Sequence, residues 1–295
     1  MKTILIKEYY RLTKPGIIYG NSLTLVAGFM LATQDKVAYS LLFATLVGLS
    51  LVIASGCVFN NYIDRDIDAL MERTKKRALV RGFISTTHAL FFGTFLGAIG
   101  FGLLFIYTNS LTFFAACIGF FVYVVIYSLW LKRSSVHSAL IGSISGAVPI
   151  VVGYLSVRGE IDLGAGILFL ILVFWQMPHS FAIALYRLHD YEAASIPVFP
   201  VRKGIYTTKV QMLIYTIFFV AATLALSMYG YTGIFYFFSM ASIGFAWILY
   251  SLFGLYVSND ETTVWARHMF IFSIVILFIF CIVVVIGKTS QVPLI

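Results

Sequence analysis

Asn60, Asp64 and Asp68, three oxygen-bearing side chains spaced four residues apart, are the residues of this sequence best arranged to do chemistry. On a helix, steps of roughly 100° per residue put the three within about 80° of arc, so their oxygens line one stripe. Asp66 points roughly the other way. A carboxylate at membrane depth costs about 2.5 to 3.5 kcal/mol on insertion scales, a penalty rarely carried without a partner. Three aligned oxygens with no counter-charge inside the stripe suggest a hard cation, and Mg²⁺ suits them because it combines carboxylates with phosphate oxygens. Arg73, Lys75, Lys76, Arg77 and Arg81 crowd the same connection. Some serve topology, but cations beside metal-holding carboxylates are also what a magnesium diphosphate site requires. Asp66 and Glu72 read as an ordinary solvated loop.

Two further connections bring polar groups to the same face. YSLWLKR supplies the phenol of Tyr127 and the cations Lys132 and Arg133, and WQMPHSFAIALYRLHDYEAASIPVFP supplies Gln176, His179, Tyr186, Arg187, Asp190 and Tyr191. His179 follows Pro178, which disturbs the helix backbone there. A histidine in that setting is most often a hydrogen-bonded core residue, although imidazole is also a haem ligand.

Composition defines the elements that must hold these groups. Of 295 residues, 61% are hydrophobic and only 11% charged, and mean hydropathy is +0.97. A soluble domain carries about 25% charged residues, so this chain lacks the polar surface to clothe a water-soluble globule. The net charge of +8 is read against membrane topology, and nucleic acid is not needed to explain it. Nine apolar stretches are long enough to cross a bilayer: about 16–33, 37–58, 89–107, 111–131, 139–157, 163–181, 210–229, 233–257 and 269–286. They are continuous rather than alternating, so the fold expected is an all-α polytopic membrane protein. All but three of the twenty basic residues, Lys36, Arg158 and Lys288, fall on one side. That side is expected to be cytoplasmic, with the N-terminus inside and the C-terminus opposite. No segment looks like a cleavable leader. Cys57, Cys117 and Cys281 read as small core residues.

Asp68, Gly82 and Thr86 recur as Asp190, Gly204 and Thr208, a constant offset of 122. The same offset carries spans 1–4 onto spans 5–8. One transmembrane domain is therefore expected, with repeat halves of about 14–131 and 136–257 and an extra ninth helix at about 269–286. Tyr186 falls where Asp64 would be, so the second half is expected to hold metal more weakly.

Asn60-x3-Asp64-x3-Asp68 on the second span, a second Asp-bearing segment after the sixth, and nine spans in all resemble the UbiA-type intramembrane prenyltransferase superfamily. Within it, TKPGIIYGN, ASGCVFNNYIDRDID, MERTKKR, YSLWLKR, LIGSISGAVP and WQMPHS with DYEAASIPVFP resemble the branch that farnesylates protohaem IX, from about Thr13 to Thr208. Ala78, Ser195 and the single proline of Val148-Pro149-Ile150 depart from the usual pattern, which bears on local backbone shape rather than on ligands.

The resemblance implies a transferase that takes farnesyl diphosphate and haem b as substrates, in the bacterial inner membrane, for cytochrome oxidase assembly. Asn60, Asp64, Asp68 and, from the other half, Asp190 would hold the diphosphate through Mg²⁺, while Lys132, Arg133 and Arg77 neutralise the leaving group. Gln176, His179 and Tyr186 would contact haem or guide water, with Tyr127 nearby. Arg187 or Arg202 would meet the propionates. The product would pass to oxidase assembly or to later haem-modifying enzymes.

Three other readings compete. A prenyltransferase acting on a quinone precursor would keep a fuller second acidic motif. A cation-coupled transporter would place charges near mid-span. A passive haem-binding assembly factor would need facing histidines.

Overall fold

The computed structural model describes residues 2–34 and 36–289, and it is all-helical apart from one isolated bridge between Thr232 and Lys288. Among the described residues, nine helices are long and apolar enough to span a membrane: Pro15–Ala32, Tyr39–Ile63, Thr86–Tyr107, Ser110–Ser134, Ser138–Arg158, Leu163–Tyr186, Ile205–Met228, Ile234–Tyr256 and Thr262–Ile286. We call these spans 1 to 9. The chain is a multi-pass membrane protein, as its apolar runs require. Residues 290–295, on which the expected placement of the C-terminus falls, lie outside the described residues.

Side-chain caps mark where several spans begin. Ser85 accepts from the His88 amide at 3.2 Å, Asn109 from Thr112 at 2.9 Å and Asp162 from Ala165 at 2.9 Å. Each satisfies an amide that the first helical turn leaves open. Spans 5 and 6 carry most of the central packing, with Ile150, Tyr154, Leu168 and Ile171 fully buried. Span 1 crosses span 5 so closely that a Cβ on Gly28 would lie 2.1 Å from the Ile150 carbonyl oxygen, and one on Gly153 2.0 Å from that of Leu25. Only glycine permits that approach. At the end away from the acidic motif, the Lys288 ammonium donates to the Thr33 and Met30 carbonyls at 2.7 and 3.2 Å, fastening the end of span 9 to that of span 1.

Span 4 departs from regular helix. Its stretch Val122–Leu131 is π-helical, a wider winding found mostly at functional positions. It brings Tyr123 and Tyr127 into a stack with ring centroids 6.0 Å apart. At the basic end, short helices Arg65–Leu70 and Leu188–Ala193 lie beyond spans 2 and 6. Ile67 and Met71 from the first connection pack on Ala194 and Ile196 from the second.

Candidate active site

A chamber of about 740 Å³ opens among spans 1, 2, 4, 5, 6 and 9, within the range of small-molecule sites. Its polar end holds Lys14, Asn60, Asp64, Asp68, Arg73, Arg77 and Lys132, and its walls include Leu49, Val52, Ile53, Phe120, Val148 and Leu172. This segregation suits an amphiphile with an anionic head and a long apolar tail.

The acidic stripe is not one unbroken helix. Span 2 ends at Ile63, Asp64 is its C-terminal cap, and Asp68 lies on the separate Arg65–Leu70 helix. The four-residue ladder nevertheless survives, with the Asp64 amide donating to Asn60 at 2.9 Å and the Asp68 amide to Asp64 at 2.8 Å. The stripe holds no counter-charge of its own, and the cations that meet it arrive from other elements. Lys132 from span 4 pairs with Asp64 Oδ2, and Arg77 pairs with Asp68 Oδ2. The Asn60 amide donates to Asp64 Oδ2 and to Ser128 Oγ, each at 2.9 Å, and its Oδ1 accepts from Lys14.

Both carboxylates are 1% exposed, and each leaves Oδ1 buried without a hydrogen-bond partner. Buried acceptors are normally satisfied. Two vacant carboxylate oxygens beside an amide oxygen are a partial donor set of the kind Mg²⁺ completes with water and phosphate. Among the described residues no group of three His, Cys, Asp or Glu side chains is placed to hold a metal by itself, so further ligands would have to come from the substrate.

Lys14, ahead of span 1, takes a left-handed backbone conformation with φ 51°. Burial above all pulls its ammonium down to about 8; Arg77 and Lys132 act the same way, and Cys57 and Asp64 oppose them. An arriving polyanion favours the charged form. Arg73 also lines the chamber and makes no ion pair or hydrogen bond with any described residue. Four cations against two carboxylates leave this end positive.

Asn60, Asp64, Asp68, Lys132, Arg77, Tyr127, Gln176 and His179 all line the one chamber; Arg133, Asp190, Tyr186, Arg187 and Arg202 do not. Arg133 grips the exposed carboxylate of Asp66 with both terminal nitrogens, at 2.7 and 2.6 Å, and the Ile63 carbonyl at 2.6 Å. That guanidinium holds the Asp66 carboxyl well below the usual carboxylate range. Asp66 thus tethers Arg133 outside the chamber. Asp190 spends Oδ1 on the Glu72 amide at 3.1 Å, bracing one acidic connection against the other. Tyr186 packs on Phe270 with centroids 5.6 Å apart, and Arg187 stacks 5.0 Å over the Tyr186 ring.

Lys14, Arg73, Tyr123 and Tyr191 also line the chamber without having been given a site role from sequence. Arg73 and Tyr191 were marked only as members of the basic and polar connections, Lys14 only as the cation of the Thr-Lys-Pro-Gly string, and Tyr123 by nothing.

Residues 21–286 match the model of the UbiA prenyltransferase family. The chain belongs to that family. Similar UbiA-family proteins include a protohaem IX farnesyltransferase of Sodalis glossinidius, 53% identical over 272 residues that cover 92% of this chain and 91% of the relative. That of Serratia proteamaculans is 52% identical over 271 residues, with the same coverage. Among solved structures, one from work on digeranylgeranylglyceryl phosphate synthase superposes with a TM-score of 0.79 at 18% identity, covering 97% of this chain and 99% of the other. A UbiA homologue from Archaeoglobus fulgidus bound to GPP and Mg²⁺ gives 0.66 at 17%, covering 94% and 99%. At these identities the structural likeness concerns the fold alone.

Proposed function

We propose that this UbiA-family chain transfers the farnesyl group of farnesyl diphosphate to a vinyl group of haem b, with addition of water, giving haem O and diphosphate. The site observation that carries the proposal is the pair of buried, unpartnered Oδ1 atoms of Asp64 and Asp68, facing a chamber rich in cations. The relatives at over 50% identity across nearly the whole chain supply the choice of acceptor.

Asn60, Asp64 and Asp68 would hold Mg²⁺ against the diphosphate. The ion, when bound, supplies Lewis-acid stabilisation of the leaving oxygens. Lys14, Arg73, Arg77 and Lys132 add fixed positive charge where negative charge grows as the allylic C–O bond breaks. The faces of Phe120, Tyr123 and Tyr127 stabilise the allylic cation and shield it from bulk water. The vinyl carbon of haem attacks that cation. Water then captures the resulting benzylic-type cation and loses a proton, leaving a hydroxyethylfarnesyl chain. Gln176 and Tyr127, whose polar atoms make no hydrogen bond to any described residue, are placed in the chamber to orient that water.

Asp190, Arg133, Tyr186 and Arg187 take supporting places in this reading: the first braces the acidic connection and the others shape the chamber's surroundings. The basic face is read as cytoplasmic, in the bacterial inner membrane, with the N-terminus inside and the C-terminus opposite. The product would pass to terminal oxidase assembly or to later haem-modifying enzymes. Detergent-purified protein supplied with haem b, farnesyl diphosphate and Mg²⁺ is expected to yield haem carrying one farnesyl group and one water by mass spectrometry. Conversion of a quinone precursor instead of haem would overturn the acceptor. Wild-type turnover in both Asp64→Asn and Asp68→Asn would overturn the metal site.

A further inference from the structure

Ser273 of span 9 holds two neighbouring aromatic side chains of span 6 through different atoms. Its carbonyl accepts from Trp175 Nε1 at 2.7 Å, and its hydroxyl lies 2.7 Å from His179 Nδ1. The hydroxyl already donates its single proton to the Phe270 carbonyl at 2.6 Å. Toward His179 the Ser273 oxygen can therefore only accept, which places the imidazole proton on Nδ1 and leaves Nε2 with a lone pair.

The ring is fixed as well as protonated in one way. Trp175 stacks on it with centroids 4.7 Å apart, and Phe270 packs at 5.0 Å. His179 lines the chamber, and Nε2 has no hydrogen-bond partner among the described residues. An oriented imidazole with Nδ1 held by an acceptor and Nε2 open is the usual arrangement of a metal-ligating histidine.

We propose that Ser273 is a positioning residue that fixes the tautomer of His179, so that His179 Nε2 ligates the iron of the haem acceptor within the chamber. The inference rests on haem being a substrate, as proposed above. It gives span 9, the helix outside the two proposed repeats, a direct part in acceptor binding. Iron held there anchors the macrocycle by its centre, leaving the vinyl edge to meet the allylic cation.

Haem b is titrated into the full-length protein in detergent, without farnesyl diphosphate, and followed by optical absorption in the ferric and ferrous states. Wild type is expected to show imidazole-ligated bands that His179→Ala loses. Ser273→Ala, which keeps the carbonyl that holds Trp175, is expected to weaken haem binding roughly 10- to 100-fold, the usual effect of losing an outer-shell partner. Ser273→Thr, which restores a hydroxyl, is expected to recover most of it. Thermal melts of the variants report folding independently. Unchanged bands in His179→Ala would overturn the ligand assignment, and affinity within twofold of wild type in Ser273→Ala would overturn the positioning role. A wild type that binds haem through His179 yet makes no farnesylated product would leave this inference standing and remove the proposed reaction.

Discussion

Lys132 reaches from the end of span 4 to Asp64 at the end of span 2 and takes one carboxylate oxygen, leaving the other buried and bare. The pair does two jobs that pull against each other. Lys132 makes a buried carboxylate tolerable when no metal is bound, yet occupies only half of it. Removing one partner of a buried pair strands the other charge at a cost of about 3 to 5 kcal/mol. Because the Lys132 side chain keeps 15% exposure, Lys132→Met is expected at the lower end, about 3 kcal/mol. Chemical unfolding in detergent measures it, and adding Asp64→Asn to the same chain should return part of the loss.

Mg²⁺ should stabilise the folded chain by mass action, by about 2.7 kcal/mol at a hundredfold excess over its dissociation constant. The rise in melting temperature is expected to disappear with EDTA and to be absent in Asp64→Asn and Asp68→Asn. Because this is a binding effect, it is read without any acceptor. An equal shift in the double Asn variant would place the ion elsewhere.

The spans were legible in the sequence because each is a continuous apolar run, and the positions of Asn60, Asp64 and Asp68 were legible from spacing alone. The helix break at Asp64 was not, since the i to i−4 ladder that spacing predicts persists through it. Nor was the π-helical stretch Val122–Leu131, whose residues are ordinary apolar and aromatic ones. Residue type also could not show the contacts of Arg133 and Asp190. Each meets a partner from another connection, Asp66 and the Glu72 amide respectively. Ser273 is the one hydroxyl-bearing residue of the apolar run 269–286, and nothing in that run marks it, so only packing against span 6 shows its use.

We read spans 1–4 and 5–8 as copies of one unit. Chamber-lining positions support this, since Gly16, Ile17, Gly20, Thr24, Ile53 and Cys57 fall opposite Ser138, Ala139, Gly142, Gly146, Trp175 and His179 at the offset of 122. Gly28 touches Ile150, its own counterpart, as residues beside a two-fold axis along the membrane normal must. On this reading the copies differ in what they present to the chamber: one the carboxylates of Asp64 and Asp68, the other the imidazole of His179.

Arg73 and Arg133 make a paired test of which cations face the substrate. Arg73→Ala removes a charge that lines the chamber and pairs with nothing described. It is expected to lower kcat/KM for farnesyl diphosphate by about 10² while leaving stability unchanged, the scale of losing one electrostatic donor. Arg133→Ala breaks a partly exposed ion pair with Asp66, which is 63% exposed. Its expected cost is at most about 1 kcal/mol of stability, with turnover within a factor of two. Steady-state kinetics on both variants decides it, and a larger kinetic loss in Arg133→Ala would restore that residue to the leaving-group cluster.

Among the described residues, two other than glycine hold positive φ, Lys14 at 51° and Ser195 at 53°, and they are expected to respond oppositely to relief. A side chain in this region costs roughly 1 to 2 kcal/mol per residue. Ser195 stands before Ile196-Pro197 at the end of the second acidic connection and makes no side-chain contact with the chamber. Ser195→Gly is therefore expected to raise stability by up to about 1 kcal/mol, since part of the relief is offset by glycine's freedom in the unfolded chain. Activity should not change. Lys14→Gly relieves the same strain but removes the ammonium that meets Asn60, so stability should hold or rise while turnover falls. Parallel unfolding and product assays on the two variants separate strain kept for a catalytic cation from strain that merely persists. A gain of activity in Lys14→Gly would show that the left-handed turn is not there to aim the amine.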